Sequence, residues 1–134
     1  MSAVPQTKKD PRVEAAISHW APRFVANGVP LSDFQEVTAS CERWEDWCRL
    51  WSERAAIHEQ LGNTALREGN NLSAANHLTR AAVCYHFGKF LFVIDPAQMK
   101  QAHMKSVECR NRALPHLVPP GERYTPGYFT TLGA

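Results

Sequence analysis

The run from Ser73 to Pro120, SAANHLTRAAVCYHFGKFLFVIDPAQMKQAHMKSVECRNRALPHLVPP, constrains the fold more than any other part of the chain. Its first half carries apolar residues at helical spacing on two faces. Ala74, Leu78, Ala81, Ala82, Tyr85, Lys89 and Phe92 share one face. The opposite face begins polar with Asn76 and Arg80, then turns apolar with Val83, Phe87, Phe90, Leu91 and Ile94. A helix that is apolar all round is buried on both sides. The helix expected from the Ser73 cap to about Ile94 therefore needs two partner surfaces. Asp95-Pro96 starts another helix, expected to reach about Leu114, and Pro115, Pro119 and Pro120 end it.

The preceding sequence supplies the partners. Asp10-Pro11 is a start signal, because Asp accepts from the free amides of a first turn and Pro fits that turn. Val13, Ala16, Ile17, Trp20 and Phe24 follow with helical period, and Pro22 is expected to kink or end the helix. Asn27-Gly28-Val29-Pro30 reads as a loop, after which Ser32 or Asp33 starts a short helix to about Thr38. A long helix is expected from about Cys41 to Glu68. Trp44, Trp47, Cys48, Trp51, Ala55, His58, Gly62, Ala65 and Leu66 fall on one narrow face of it. Glycine costs a helix roughly 1 kcal/mol relative to alanine, so Gly62 within that stripe implies another helix passing close by. Gly69-Asn70-Asn71 stops the helix. The expected fold is all-α: a cap-like bundle of about four to five helices with a long antiparallel hairpin. Residues 1–9 are expected to be disordered, 10–120 to form the helical domain and 121–134 an irregular tail.

At 134 residues the chain is one domain's worth. Net charge is only +2 and no Lys/Arg block stands out, which argues against a nucleic-acid partner. No apolar run approaches the roughly 20 residues of a membrane span. The first residues, MSAVPQTKKDPRVE, lack the apolar core of a signal peptide, so a cytoplasmic location is expected. Cys41 and Cys48, placed on one helix, would lie roughly 10 Å apart along its axis, too far for a disulfide. Cys84 and Cys109 could meet, but buried free thiols are the simpler expectation.

Catalytic motifs are absent. No serine is bracketed as GxSxG, and the chain has no P-loop, no GxGxxG and no CxxC pair. His58-Glu59 begins like a zinc-protease helix, but Gly62 stands where the second histidine is needed. No catalytic residue, metal site or cofactor is therefore assigned. His58, Lys89, His103 and Arg110 interrupt apolar stripes, and an ionisable group on a buried face must be paired or line a polar cavity. Satisfied core or snorkelling side chains are the plainer reading for His58, His103 and Arg110. For Lys89, between Tyr85 and Phe92, a pocket is nearly as good a reading. His77 is expected to be exposed. An apolar wall with few polar groups is what small-molecule sites use. Tyr85, His86, Lys89 and Phe90 are the candidate substrate contacts. Val83, Phe87, Leu91 and Ile94 are the candidate interface. Trp44, Trp47 and Trp51 read as core.

These residues carry a resemblance. His19-Trp20, Pro22-Arg23-Phe24, the tryptophans, Ser73-Ala74, His77-Leu78, Ala81-Ala82, Tyr85 to Phe92, Asp95-Pro96, Ala102-His103, Ala113-Leu114-Pro115 and Pro119 to Arg123 stand in order. Together the run from about residue 15 to 123 resembles the N-terminal helical cap of α/β-hydrolases of the group that includes dihydroxypseudooxynicotine hydrolase and related carbon–carbon bond hydrolases. The resemblance implies a cap that packs over a catalytic domain and helps enclose a small organic substrate. It implies that the Ser, Asp and His of catalysis lie in that domain, and none of them maps here. The tail after Arg123 is expected to be a remnant of the start of a hydrolase domain. The spare apolar face would then meet that missing domain or a second copy of the chain. The alternative is a free-standing helical protein-interaction module using the face around Phe87 and Phe90. A small-molecule-binding bundle is the third reading.

Overall fold

A computed structural model describes residues 9–127. The expected disorder of 1–8 and the tail aromatics Tyr128 and Phe129 lie outside the described residues. Five α-helices follow one another: α1 Pro11–Ala26, α2 Leu31–Ser40, α3 Trp47–Arg67, α4 Asn71–Lys89 and α5 Pro96–Ala113. Single 3₁₀ turns, Trp44–Asp46 and Leu114–His116, precede α3 and follow α5. Among the described residues there is no strand, so the all-α class is borne out. None of these helices is long and apolar enough to cross a membrane.

The helix starts follow local chemistry. Asp10 accepts from the Arg12 amide at 2.9 Å and from the Trp44 amide at 3.3 Å, so one carboxylate both caps α1 and ties it to the turn before α3. The Arg12 side chain, its own amide and the Trp44 amide together hold the Asp10 carboxyl well below the usual range. Asp95 caps α5 in the same way, accepting from the Gln98 amide at 3.1 Å. Lys9, at the edge of the stretch expected to be disordered, donates to the carbonyls of Thr38 and Cys41 at 2.9 Å each. It thereby adds a donor to carbonyls at the end of α2.

Of the kink or end expected at Pro22, the end does not occur: α1 runs through to Ala26. The ring forfeits one helical bond, but fully buried Phe24 lies just beyond it and its packing holds the last turn in place. Cys41 is not on the tryptophan helix: it ends α2 in an extended conformation, and α3 begins at Trp47. α4 starts at Asn71, two residues before Ser73, without a side-chain cap. It also ends at Lys89 rather than near Ile94. Phe90 is extended and Leu91 takes φ 59°, a left-handed conformation costly for a bulky residue.

α3 and α4 form the long hairpin. Its direction is read from three pairs along its length: a Cβ on Gly62 would meet Leu78, one on Gly88 would meet Trp51, and the Trp47 indole donates to the Phe87 carbonyl at 3.1 Å. The chain turns between them at Gly69, whose φ of 78° suits glycine. The Trp47 bond satisfies one of the carbonyls that the end of α4 leaves free. α5 returns along α4, with the Ser106 hydroxyl donating to the Ala82 carbonyl at 2.8 Å.

The expected tryptophan face is the observed one. Trp44, Trp47, Cys48, Trp51, Ala55, Gly62 and Ala65 are all buried. The second partner surface of α4 is α5, and α1 covers the C-terminal end of α4 through aromatic side chains. Phe24 stacks on Phe87 with ring centroids 3.8 Å apart, and Trp20 meets Phe90 edge-on at 5.4 Å. Phe87 is 2% exposed. It is therefore a core residue and not part of an open interface, and Val83 is half-buried. Of the expected spare face, Leu91 and Ile94 stay open, at 52% and 45% exposure, with Val93 between them at 68%.

Candidate functional site

Two clefts flank the α4/α5 pair. The first, about 480 Å³, is walled by Arg49, Ser52, Glu53 and Ala56 of α3, Tyr85 of α4, and Gln98, Gln101, Ala102 and Lys105 of α5. Each outer wall is a stripe of spacing i, i+3, i+4, i+7, which is one face of a helix. Glu59 organises the cleft's edge. The Tyr85 hydroxyl donates to its Oε1 at 2.8 Å and the Lys105 ammonium to its Oε2 at 2.7 Å. Burial pushes the Glu59 carboxyl upward, but the bonds from Lys105 and Tyr85 outweigh it, so its pKa falls below the ordinary value. Burial and then Glu59 raise the Tyr85 phenol, which stays neutral. Tyr85 therefore offers this cleft its ring while its hydroxyl is engaged.

The second cleft, about 260 Å³, lies between α4 and α5 and is lined by His86, Lys89, His103, Ser106, Val107, Arg110 and Asn111. His86 is exposed and lies edge-on to Phe87 at 5.1 Å. Desolvation, followed by the nearby charges of Lys89, His103 and Arg23, lowers its proton affinity. Three of the four ionisable residues that interrupt the apolar stripes, Lys89, His103 and Arg110, thus line one cleft. The fourth, His58, is elsewhere.

The four candidate substrate contacts do not share a pocket. Tyr85 borders the first cleft, His86 and Lys89 the second, and Phe90 neither. Phe90 is half-buried under α1, with the Arg23 guanidinium 5.4 Å from its ring centre. Sequence reasoning missed Glu59 and the facing polar stripes of α3 and α5. Their helical period is present in the sequence, but in polar and not apolar residues. His77 is half-buried rather than exposed, and its Nδ1 is buried without a partner.

A third cluster links α2, α3 and α4. His58 Nε2 meets Asp33 Oδ2 at 2.6 Å, and Arg54 bonds Asp33 Oδ1 at 2.8 Å and Glu36 at 2.7 Å. Cys84 completes the set: a ligand atom of each of Asp33, His58 and Cys84 lies within 4.8 Å of the others. These three are donors a metal ion could use. Arg54 already neutralises the carboxylate, and burial raises the Cys84 thiol to about 12, so the cluster reads as a structural ion network. All four cysteines are free and buried. Burial also raises Cys41 to about 11 and Cys109 to about 12, so neither is a thiolate nucleophile at neutral pH.

No family model matches the chain. No solved structure matches it. Among curated proteins it is similar to 2,6-dihydropseudooxynicotine hydrolase of Paenarthrobacter nicotinovorans, with 31% identity over 113 residues. Those residues are 83% of this chain and 29% of that protein, so the chain spans under a third of the length of the relative it matches. The resemblance to part of a hydrolase that the sequence carries is thereby borne out.

Proposed function

We propose that this helical domain is a cap of an α/β-hydrolase, enclosing a small organic substrate over a catalytic domain and doing no hydrolysis alone. The observation that carries the reading is the extent of the similarity: most of this chain aligns with under a third of a hydrolase. The chemistry agrees. The sequence has no nucleophile elbow, and no placed nucleophile, base and oxyanion donors are found together among the described residues. The exposed Leu91, Val93 and Ile94 form the apolar edge we assign to the catalytic domain. His86 and Lys89 are the substrate contacts we retain, with Tyr85 contributing through the other cleft. The buried free thiols suit a reducing, cytoplasmic setting.

The purified chain is expected to leave β-diketones and p-nitrophenyl esters unhydrolysed. Turnover that survives repurification would overturn the inactive part of this reading. A free-standing interaction module is favoured by the same open edge, which fits a second copy as well as a catalytic domain. Sedimentation over a wide concentration range separates the two: the cap reading expects a weakly associating monomer, the module a defined dimer.

A further inference from the structure

The second cleft carries more than its part in a cap. Four of its seven lining residues, His86, Lys89, His103 and Arg110, are cationic or become so on protonation, and none is a carboxylate. Among the described residues, none of the four is paired with an acidic side chain. Arg110 makes only a long contact with the Thr79 hydroxyl, at 3.5 Å. The arrangement is fixed by backbone and not by mobile loops. α4 and α5 are held together beside it by the Ser106–Ala82 bond, at 2.8 Å. Once His86 is protonated, it and Lys89 are like charges three residues apart on one helix, which destabilises it. A neutral polar wall would hold the two helices as well without that repulsion. Gathering four such groups from two helices around one concavity is instead what oxyanion recognition requires.

We infer that this cleft binds a small oxyanion, the phosphate or carboxylate group of a soluble metabolite. Lys89 and Arg110 supply the fixed charges. His86 and His103 add charge on protonation, and Ser106 and Asn111 add neutral hydrogen bonds. The inference rests on His86 and Lys89 being ligand contacts, as proposed above. It does not rest on the cap reading, because it concerns this chain alone. The groups facing His86 are Arg23 of α1, Lys89 of α4 and His103 of α5, all cationic or neutral. A bound anion reverses their effect and raises the His86 pKa. Affinity is then greatest below that pKa and falls as pH rises through it.

The test is an NMR titration of the full chain at constant ionic strength, following histidine ring resonances. Inorganic phosphate, pyrophosphate and succinate are the probes and chloride is the control. The inference expects saturable shifts at His86 and His103, a raised His86 pKa, and no saturation with chloride. Lys89→Ala and Arg110→Ala should each weaken binding about tenfold with unchanged melting temperature. A preference for pyrophosphate over succinate assigns the site to phosphate esters, and the reverse assigns it to carboxylates. Either satisfies the inference. Linear shifts that match chloride at equal ionic strength would overturn it. So would a folded Lys89→Ala/Arg110→Ala double variant that binds as tightly as the parent.

Discussion

Gly88 lies where the α4 backbone passes α3. A Cβ built there would sit 2.9 Å from the Trp51 Cβ and 3.4 Å from the Cys48 carbonyl oxygen. Neither neighbour can rotate away. Gly88→Ala should therefore destabilise the chain by about 1–3 kcal/mol, although alanine favours helix by roughly 1 kcal/mol. Gly62 meets the Leu78 side chain at 2.8 Å, which can shift more easily than backbone, so Gly62→Ala should cost less. Paired thermal melts of the two variants check the order. Glu59 carries a second prediction at this scale. Its pKa lies below the ordinary 4.5 in the folded chain. The stabilisation it brings is thus fully present above the unfolded value and lost as pH falls through the lower, folded one. Glu59→Gln should flatten the acid limb of the stability curve below the ordinary carboxylate range, as read from urea melts at stepped pH. Gly62 was legible in the sequence because it interrupts an apolar stripe. Glu59 was not, because the stripe that contains it is polar, and its partners lie 26 and 46 positions away.

At the scale of elements, the sequence located α3, the hairpin turn and α5 because their stripes, glycine stop and Asp-Pro start are local signals. It misplaced the start of α3 and the end of α4 for physical reasons. The apolar period continues through Trp44 and Phe90, but the backbone leaves the helix because the loops must reach α2 and α5. The spare face is open only in part: α1 covers Phe87 and Phe90, through Phe24 and Trp20, and contacts more than sixty positions apart leave no mark in helical period. Phe87→Ala should accordingly cost about 3–5 kcal/mol. Ile94→Ser, at an exposed position, should stay within about 0.5 kcal/mol. Equal effects on chemical denaturation would refute this division between core and open edge. Leu91 adds a finer case. Its φ of 59° strains a leucine that is half-exposed and gains little from burial. Leu91→Gly should raise stability by about 1 kcal/mol. If it does, the strained apolar side chain is held there at a cost, as expected of a residue that meets something outside this chain.

For the whole molecule, two features of different kind stand together. The helices close their own core, with α3 and α5 packed on α4 and α1 over its C-terminal end. They also leave Leu91, Val93 and Ile94 exposed, in the segment that follows Lys89 of the second cleft. The class of fold was readable from periodicity, and the likeness to a hydrolase from the order of many short motifs. The division of the candidate contacts between two clefts was not, because Tyr85 and His86 are neighbours in sequence that point to different sides of one helix. The central claim is that this bundle serves as the cap of a hydrolase. The most direct test is a chimera in which the matched segment of the Paenarthrobacter hydrolase is replaced by this chain, assayed beside the same hydrolase lacking that segment. The account predicts that the chimera folds and regains hydrolysis, and that Leu91→Asp with Ile94→Asp removes the gain while the helical domain stays folded. A folded chimera no more active than the hydrolase without the segment would contradict it.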